Sequence, residues 1–331
     1  MGRRLRRRDF ISLSVGAAFS WPLAARAQQA AVPVIGYLSY TSPSERPTLL
    51  AAFLQGLEQA GYVDGRNVHI EYRSADGHYE RLPSLVAELV SLPAAVIAAT
   101  GGEASGKAAK AATSKIPIVF TMGSDPVKTG LVTSLNRPGA NVTGVSLISY
   151  ELDAKRLQLL HEFIPTRTTI GILVNTKNPS FEHILVELKV AAQENGQKLM
   201  ILDASTEAEI ESAFSSLEPQ HIDAVLVTTN PFYEGRREQL VKIAERYSVP
   251  VVYPWREYST IGGLISYGPK FTESYRQAGL YVGRILNGEK PSELPVVQAT
   301  EIELLVNLKT AKRLSIEVPT TILLRANEVI E

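Results

Sequence analysis

The run VPVIGYL at residues 32–38 decides the fold. It is almost continuously apolar, as expected of a parallel strand covered on both faces; a strand with one wet face would alternate. A helix follows over residues 48–60, where Leu50, Phe53, Leu54 and Leu57 share one stripe and Gly61 supplies the stop. The unit then repeats. Strands over 68–72, 94–99 and 116–121 alternate with helices over 80–92 and 103–114, and a strand at 143–147 closes this half. That rhythm implies right-handed crossovers and an α/β fold with a doubly wound, mostly parallel sheet and flanking helices.

A second unit of the same kind follows with no low-complexity linker. Helices over 153–163, 180–195, 207–216 and 236–247 alternate with strands over 169–174, 197–202, 224–228 and 249–253. A further strand at 262–267 and a long helix at 272–286, ended by Asn287-Gly288, complete the pattern. The chain therefore reads as two similar lobes in series.

Residues 1–27 have the order of an export leader. Arg6, Arg7 and Arg8 precede Asp9-Phe10-Ile11, an uncharged stretch runs to Ala25, and Ala25-Arg26-Ala27 has the small-x-small form of a cleavage site. The stretch is shorter than the ~20 residues that span a bilayer. Arg7-Arg8 followed by Phe10-Ile11 resembles the twin-arginine address of bacteria. The chain has no Cys, which excludes a lipid-anchoring Cys, disulfides and thiolate metal sites. The expectation is a protein exported to the periplasm, with no lipid anchor, and monomeric. Residues 1–27 hold six of the 34 basic and one of the 34 acidic residues, so the remainder carries 28 against 33, a net charge of −5. That balance argues against a nucleic-acid partner.

Open parallel sheets bind ligands beyond the carboxyl ends of their strands, so the loops there carry the functional reading. In the first lobe these are Ser39-Tyr40-Thr41, Gly101-Gly102 with nearby Ser105, and Gly123-Ser124-Asp125. Backbone N–H groups at Gly101, Gly102 and Ser105 can hold a carboxylate, and Asp125 can accept from an ammonium group. In the second lobe, Asn175, Asn178 and Asn230 offer amides, while Phe232, Tyr233, Tyr253, Trp255 and Tyr267, with Tyr40 opposite, offer walls for a flat or apolar group. The same loops also read as turn chemistry, with Asp125-Pro126 starting a turn and Asn178-Pro179-Ser180 capping a helix. As ligand, the set suits an aromatic or branched amino acid or an aromatic acid better than a sugar or a phosphate.

One motif resembles a nucleotide-binding loop. Gly101 to Lys107 satisfies G-x-x-x-x-G-K, but Ala108 stands where a Mg²⁺-binding hydroxyl is required, and an exported protein meets no ATP. No G-x-G-x-x-G, G-x-S-x-G or H-E-x-x-H occurs, and the five His are scattered. No catalysis, metal or cofactor is expected.

Several stretches together carry a family resemblance: Ile35-Gly36-Tyr37-Leu38, Gly61-Tyr62-Val63-Asp64-Gly65-Arg66-Asn67-Val68, Gly139-Ala140-Asn141-Val142-Thr143-Gly144-Val145-Ser146, Tyr275-Arg276-Gln277-Ala278-Gly279, and Asn307-Leu308-Lys309-Thr310-Ala311-Lys312. They resemble the tryptophan- and tyrosine-type substrate-binding proteins of ABC transporters. Family members commonly carry Thr-Pro where this chain has Glu103-Ala104, an acid that would repel an anionic ligand or meet a cationic one. The resemblance implies a two-lobed periplasmic-binding-protein fold of type I that closes on a small molecule. It also implies docking on an inner-membrane ABC permease driven by a separate cytoplasmic ATPase. On this reading the first lobe comprises residues 31–147 plus about 268–291, and the second 148–267 plus about 292–331. A ligand-presenting sensor for a chemoreceptor or histidine kinase is the alternative.

Overall fold

The computed structural model describes residues 32–331, so the expected leader lies outside the described residues. The first sheet is built from β1 (Val34–Ser39), β2 (His69–Ser74), β3 (Ala94–Ala99), β4 (Ile118–Met122) and β5 (Val142–Ser146), joined through α1 (Pro47–Gln59), α2 (Leu82–Ser91) and α3 (Glu103–Ala112). The second follows as α4 (Glu151–Phe163), β6 (Thr169–Val174), α5 (Phe181–Glu194), β7 (Lys198–Asp203), α6 (Glu207–Ser215), β8 (Ala224–Val227), α7 (Pro231–Gly235), α8 (Arg237–Arg246), β9 (Val251–Tyr253), α9 (Arg256–Thr260) and β10 (Ile265–Pro269). The chain then returns through α10 (Phe271–Leu286) and β11 (Val297–Gln298), and ends as β12 (Ile302–Asn307), α11 (Leu308–Arg313), α12 (Thr320–Leu323) and β13 (Glu328–Ile330).

Two sheets result, ordered β11-β5-β4-β3-β1-β2 and β13-β12-β10-β9-β8-β6-β7. Pairing is parallel throughout except between β10 and β12. The apolar β1 lies between β2 and β3, with Ile35 opposite Ile70 on one side and Val96 on the other. Burial on both faces is what its composition demands.

Two local differences from the sequence reading have physical causes. The helix expected at 80–92 divides into a 3-10 turn at Tyr79–Arg81 and α2, because Pro83 is tolerated only in a first turn. The return to the second sheet also comes later than residue 292: β11 still pairs with β5, through Val297 beside Val145, and the chain re-enters the second sheet at β12. A two-residue strand carries too little pattern to be read from sequence.

α10 belongs to the first lobe and packs along α1. A Cβ at Gly56 would lie 1.8 Å from the Arg276 carbonyl oxygen, and one at Gly279 would lie 1.9 Å from that of Phe53. Reciprocal glycines thus let the two helix backbones touch, which fixes α10 and the aromatic residues on its first turns at the lobe boundary. The chain crosses between sheets near residues 147–150, 269–271 and 299–301. Fully buried Arg156 ties two of these crossings together. Its Nη1 donates to the Ser149 carbonyl at 3.1 Å, its Nε donates to the Tyr267 carbonyl at 2.6 Å, and Asp153 pairs with it.

Candidate functional site

Between the lobes lies a cavity with about 370 Å³ of empty space. The first lobe supplies Arg46, Thr100, Gly102 and the end of β4 from Thr121 to Gly123; the first crossing supplies Ser149 and Tyr150. The second lobe supplies Thr229, Asn230, Glu234 and Trp255, and α10 adds Phe271 and Tyr275. These are strand-end and helix-start positions, as the doubly wound topology requires.

Two charges there are buried with incomplete partners. Arg46, just before α1, is 4% exposed. Among the described residues its guanidinium donates from Nη2 to Ser39 Oγ at 3.4 Å and lies over the Tyr275 ring, 5.8 Å from the centroid, and no carboxylate reaches salt-bridge distance. Burial opposes its charge, but Tyr275, Tyr37 and Glu234 outweigh that and keep the guanidinium protonated. Glu234, in α7, is 2% exposed. Its Oε1 meets Arg237 Nη1 at 3.2 Å, while its Oε2 has no partner. Burial, with Glu257 adding to it against Arg237 and Arg46, pushes this carboxyl up to about 8. A buried cation and a buried acid, each short of partners, are costly unless a ligand completes them.

The walls are aromatic. Trp255 and Phe271 stack with centroids 4.3 Å apart and planes 13° from parallel, and Tyr275 meets Phe271 edge-on at 5.3 Å. The Tyr275 hydroxyl donates to the Thr100 carbonyl at 2.7 Å, so the ring is fixed by the loop it faces. Burial pushes the Tyr150 hydroxyl up to about 12, and it stays neutral. The arrangement can hold an anionic group at Arg46, a hydrogen-bond donor at Glu234 and a flat apolar group beside the rings.

Of the residues expected from sequence, the cavity gathers Gly102, Gly123, Asn230 and Trp255. Ser39 stands behind it as the support of Arg46. The others take structural places. Tyr40 stacks on Tyr79 at 4.1 Å and donates to the Gly77 carbonyl; Thr41 and Phe232 line a neighbouring open groove. A Cβ at Gly101 would sit 2.2 Å from Ser105 Oγ and 2.4 Å from the Tyr40 nitrogen, so Gly101 and Ser105 serve the turn into α3. Gly102, at φ +88°, makes that turn possible. Asp125 Oδ1 accepts from the Val127 nitrogen at 2.7 Å, so the turn reading wins over the ammonium site. Asn175 and Asn178 likewise accept from the Lys177 and Ser180 nitrogens at 3.0 and 3.1 Å. Tyr233 is in the second lobe's core, its hydroxyl donating to the Ala204 carbonyl at 2.8 Å, and Tyr253 stacks on Tyr258 at 4.7 Å. Tyr267 offers its carbonyl to Arg156. Ser124 donates to Glu103 at 2.7 Å. Lys107 pairs with Glu103 at 2.6 Å, which leaves the phosphate-loop look-alike as ordinary helix-start chemistry.

Sequence reading missed Arg46, Glu234, Phe271 and Tyr275. Arg46 and Glu234 lie within a few residues of loops that had been singled out, on segments whose helical start hides their direction. Phe271 and Tyr275 sit on a helix that only the lobe crossing brings to the cleft.

No described helix is long and apolar enough to cross a membrane, and no cluster of three metal-binding side chains occurs among the described residues. The chain is 30% identical over 276 residues to a tyrosine-binding protein of Clostridioides difficile, covering 82% of this chain and 79% of that one. A Streptococcus pneumoniae ABC domain in complex with L-Trp superposes with a TM-score of 0.76 at 23% identity, covering 89% of this chain and 100% of that one. A ligand-free, open substrate-binding protein with adhesive properties from Clostridium difficile is 29% identical, covering 90% and 99%, yet scores only 0.60. In this structure the lobes are together, bridged by Glu103 with Ser180 and by Glu45 with Arg236. Residues 41–330 match the family described as ABC transporter substrate binding protein, and the chain belongs to that family of two-lobed solute-binding proteins.

Proposed function

We propose that the protein is exported by its twin-arginine-type leader, works as a soluble periplasmic monomer, and captures an amino acid with an aromatic or branched side chain. It then presents the closed form to an ABC permease powered by a separate ATPase, and it catalyses nothing. The observation that carries the reading is a buried guanidinium and a buried carboxyl lining one cavity, the carboxyl with an unpartnered oxygen. Arg46 suits a carboxylate, Glu234 an ammonium group, and the Trp255, Phe271 and Tyr275 rings a flat side chain. Glu234 thus takes the role first given to Asp125. The tyrosine-binding relative and the L-Trp complex support the same class. Family membership favours transport over the sensor reading. The cavity is walled by both lobes, so the lobes part to admit the solute, as hinge closure requires.

Native mass spectrometry of protein purified without refolding, followed by calorimetry against amino acids, aromatic acids and sugars, tests this. The expected result is retention and tight binding of an aromatic or branched amino acid. Tight binding of a sugar, with no response to any aromatic or branched compound, overturns it. For export, Arg7→Lys with Arg8→Lys keeps charge but loses the planar guanidinium groups, and periplasmic protein should fall sharply. Undiminished export removes the twin-arginine assignment.

A further inference from the structure

Outside the cavity, one buried carboxylate has partners in both lobes. Glu103, the first residue of α3, is 7% exposed. Its Oε2 accepts from Ser124 Oγ at 2.7 Å, at the end of β4 in its own lobe. The same oxygen accepts from Ser180 Oγ at 2.6 Å, immediately before α5 in the other lobe. Its Oε1 faces Lys107 Nζ at 2.6 Å, one turn along α3. The site suits an anion, because the first turn of a helix presents free N–H groups and the positive end of its dipole. Burial pushes the carboxyl up, but Lys107 and the Ser180 and Ser124 hydroxyls outweigh it and hold the group below the usual carboxylate range.

Of these contacts, only the one to Ser180 depends on lobe position. A separation of an ångström or two breaks it and leaves Ser124 and Lys107 in place. A second bridge, Glu45 with Arg236, faces the open groove with side chains 30% and 23% exposed, where water screens and competes. The Glu103 bridge is dry on the Ser180 side, since Ser180 is 4% exposed. Charge-assisted hydrogen bonds in such surroundings are among the strong ones.

We propose that Glu103 is a positioning residue that sets solute affinity from outside the cavity wall, by clamping to Ser180 across the lobe boundary in the closed form alone. A contact made only in the closed state multiplies the affinity of every solute that requires closure, and by the same factor. A residue touching the solute would instead change the ranking of solutes. The affinity part rests on the cavity reading above; the clamp itself does not.

The experiment compares the wild type with Ser180→Ala, Glu103→Gln and the double variant. Affinities and dissociation rates are measured for L-tyrosine and L-tryptophan, together with the radius of gyration by small-angle scattering without amino acid. For each single variant, both affinities should fall by one common factor of about ten, as expected for loss of one charge-assisted bond, with faster dissociation. The double variant should be no worse than Glu103→Gln alone, and the variants should show a larger radius of gyration. Affinities within two-fold of wild type, or a changed tyrosine-to-tryptophan ratio, would overturn the clamp. If neither amino acid binds the wild type, the cavity reading fails, and scattering still decides the clamp: unchanged radii overturn it, and larger ones support it.

Discussion

Among the described residues, two regions between the lobes differ in how their charges are paired. The groove beside the cavity has about 1490 Å³ of empty space against 370 Å³. Apart from Lys177, its charges have partners: Arg236 with Glu45 and Glu207, Asp76 with Arg81 at 2.6 Å, and Glu80 with His78 at 3.1 Å. Most of these side chains face water. In the cavity, Arg46 and Glu234 are buried, Glu234 Oε2 has no partner, and the walls are stacked rings. A solute entering the groove exchanges one set of hydrated contacts for another. A solute entering the cavity completes groups whose burial has already been paid for by the fold.

The contrast is tested most severely by charge deletion. Arg46→Ala should lower L-tyrosine affinity by about 100-fold or more, the scale of losing hydrogen bonds to a buried charge, and Arg46→Lys should restore only part of it. Lys177→Ala, which removes a cation from the groove, should leave affinity within about two-fold; equal losses in calorimetry would erase the distinction. Next in size is Trp255→Ala, which should weaken L-tyrosine binding about ten-fold and cost roughly 3–5 kcal/mol of stability by opening a hole against Phe271, read by denaturant unfolding.

Glu234 sharpens the comparison through pH. Its folded carboxyl sits near 8, above the ordinary 4.5. The resulting contribution to stability is fully present below about 4.5 and is lost as pH rises through about 8. Glu234→Gln should therefore flatten the loss of stability seen in thermal melts between pH 6 and 9. An ammonium group arriving at Glu234 should also ionise it. Titrating L-tyrosine at pH 7 in buffers of different ionisation enthalpy should show release of up to one proton in wild type and none in the Gln variant. The smallest effect belongs to Tyr233→Phe. It removes one core hydrogen bond, should cost about 1 kcal/mol of stability, and should not change affinity.

The fold was legible because each strand and helix announces its own period, and short-range pattern suffices for a doubly wound sheet. Val32 to Leu38 could only be a covered strand, and the helix over 48–60 could only pack by its Phe53 and Leu57 face. The short elements were not legible: α7, α9 and β11 are too brief to show a period, and β11 moved the last lobe crossing. The site was legible as a set of loops but not as a set of side chains. Gly102, Gly123, Asn230 and Trp255 line the cavity because strand ends are where such cavities form. Tyr233 and Tyr253 were misplaced because an aromatic residue after a strand reads alike whether it turns to the cleft or to the core. Direction at a helix start depends on where the first turn begins. A one-residue shift in α7 would exchange Tyr233 for Glu234.

The central claim is that the smaller cavity, and not the larger groove, holds an amino acid through Arg46 and Glu234. A crystal structure of the protein grown with L-tyrosine tests it most directly. The account predicts the carboxylate within hydrogen-bonding distance of the Arg46 guanidinium, the ammonium group at Glu234 Oε2, and the ring beside Trp255 and Phe271. Tyrosine bound in the groove against Asp76 and Glu80, or a cavity without tyrosine at saturating concentration, would contradict it.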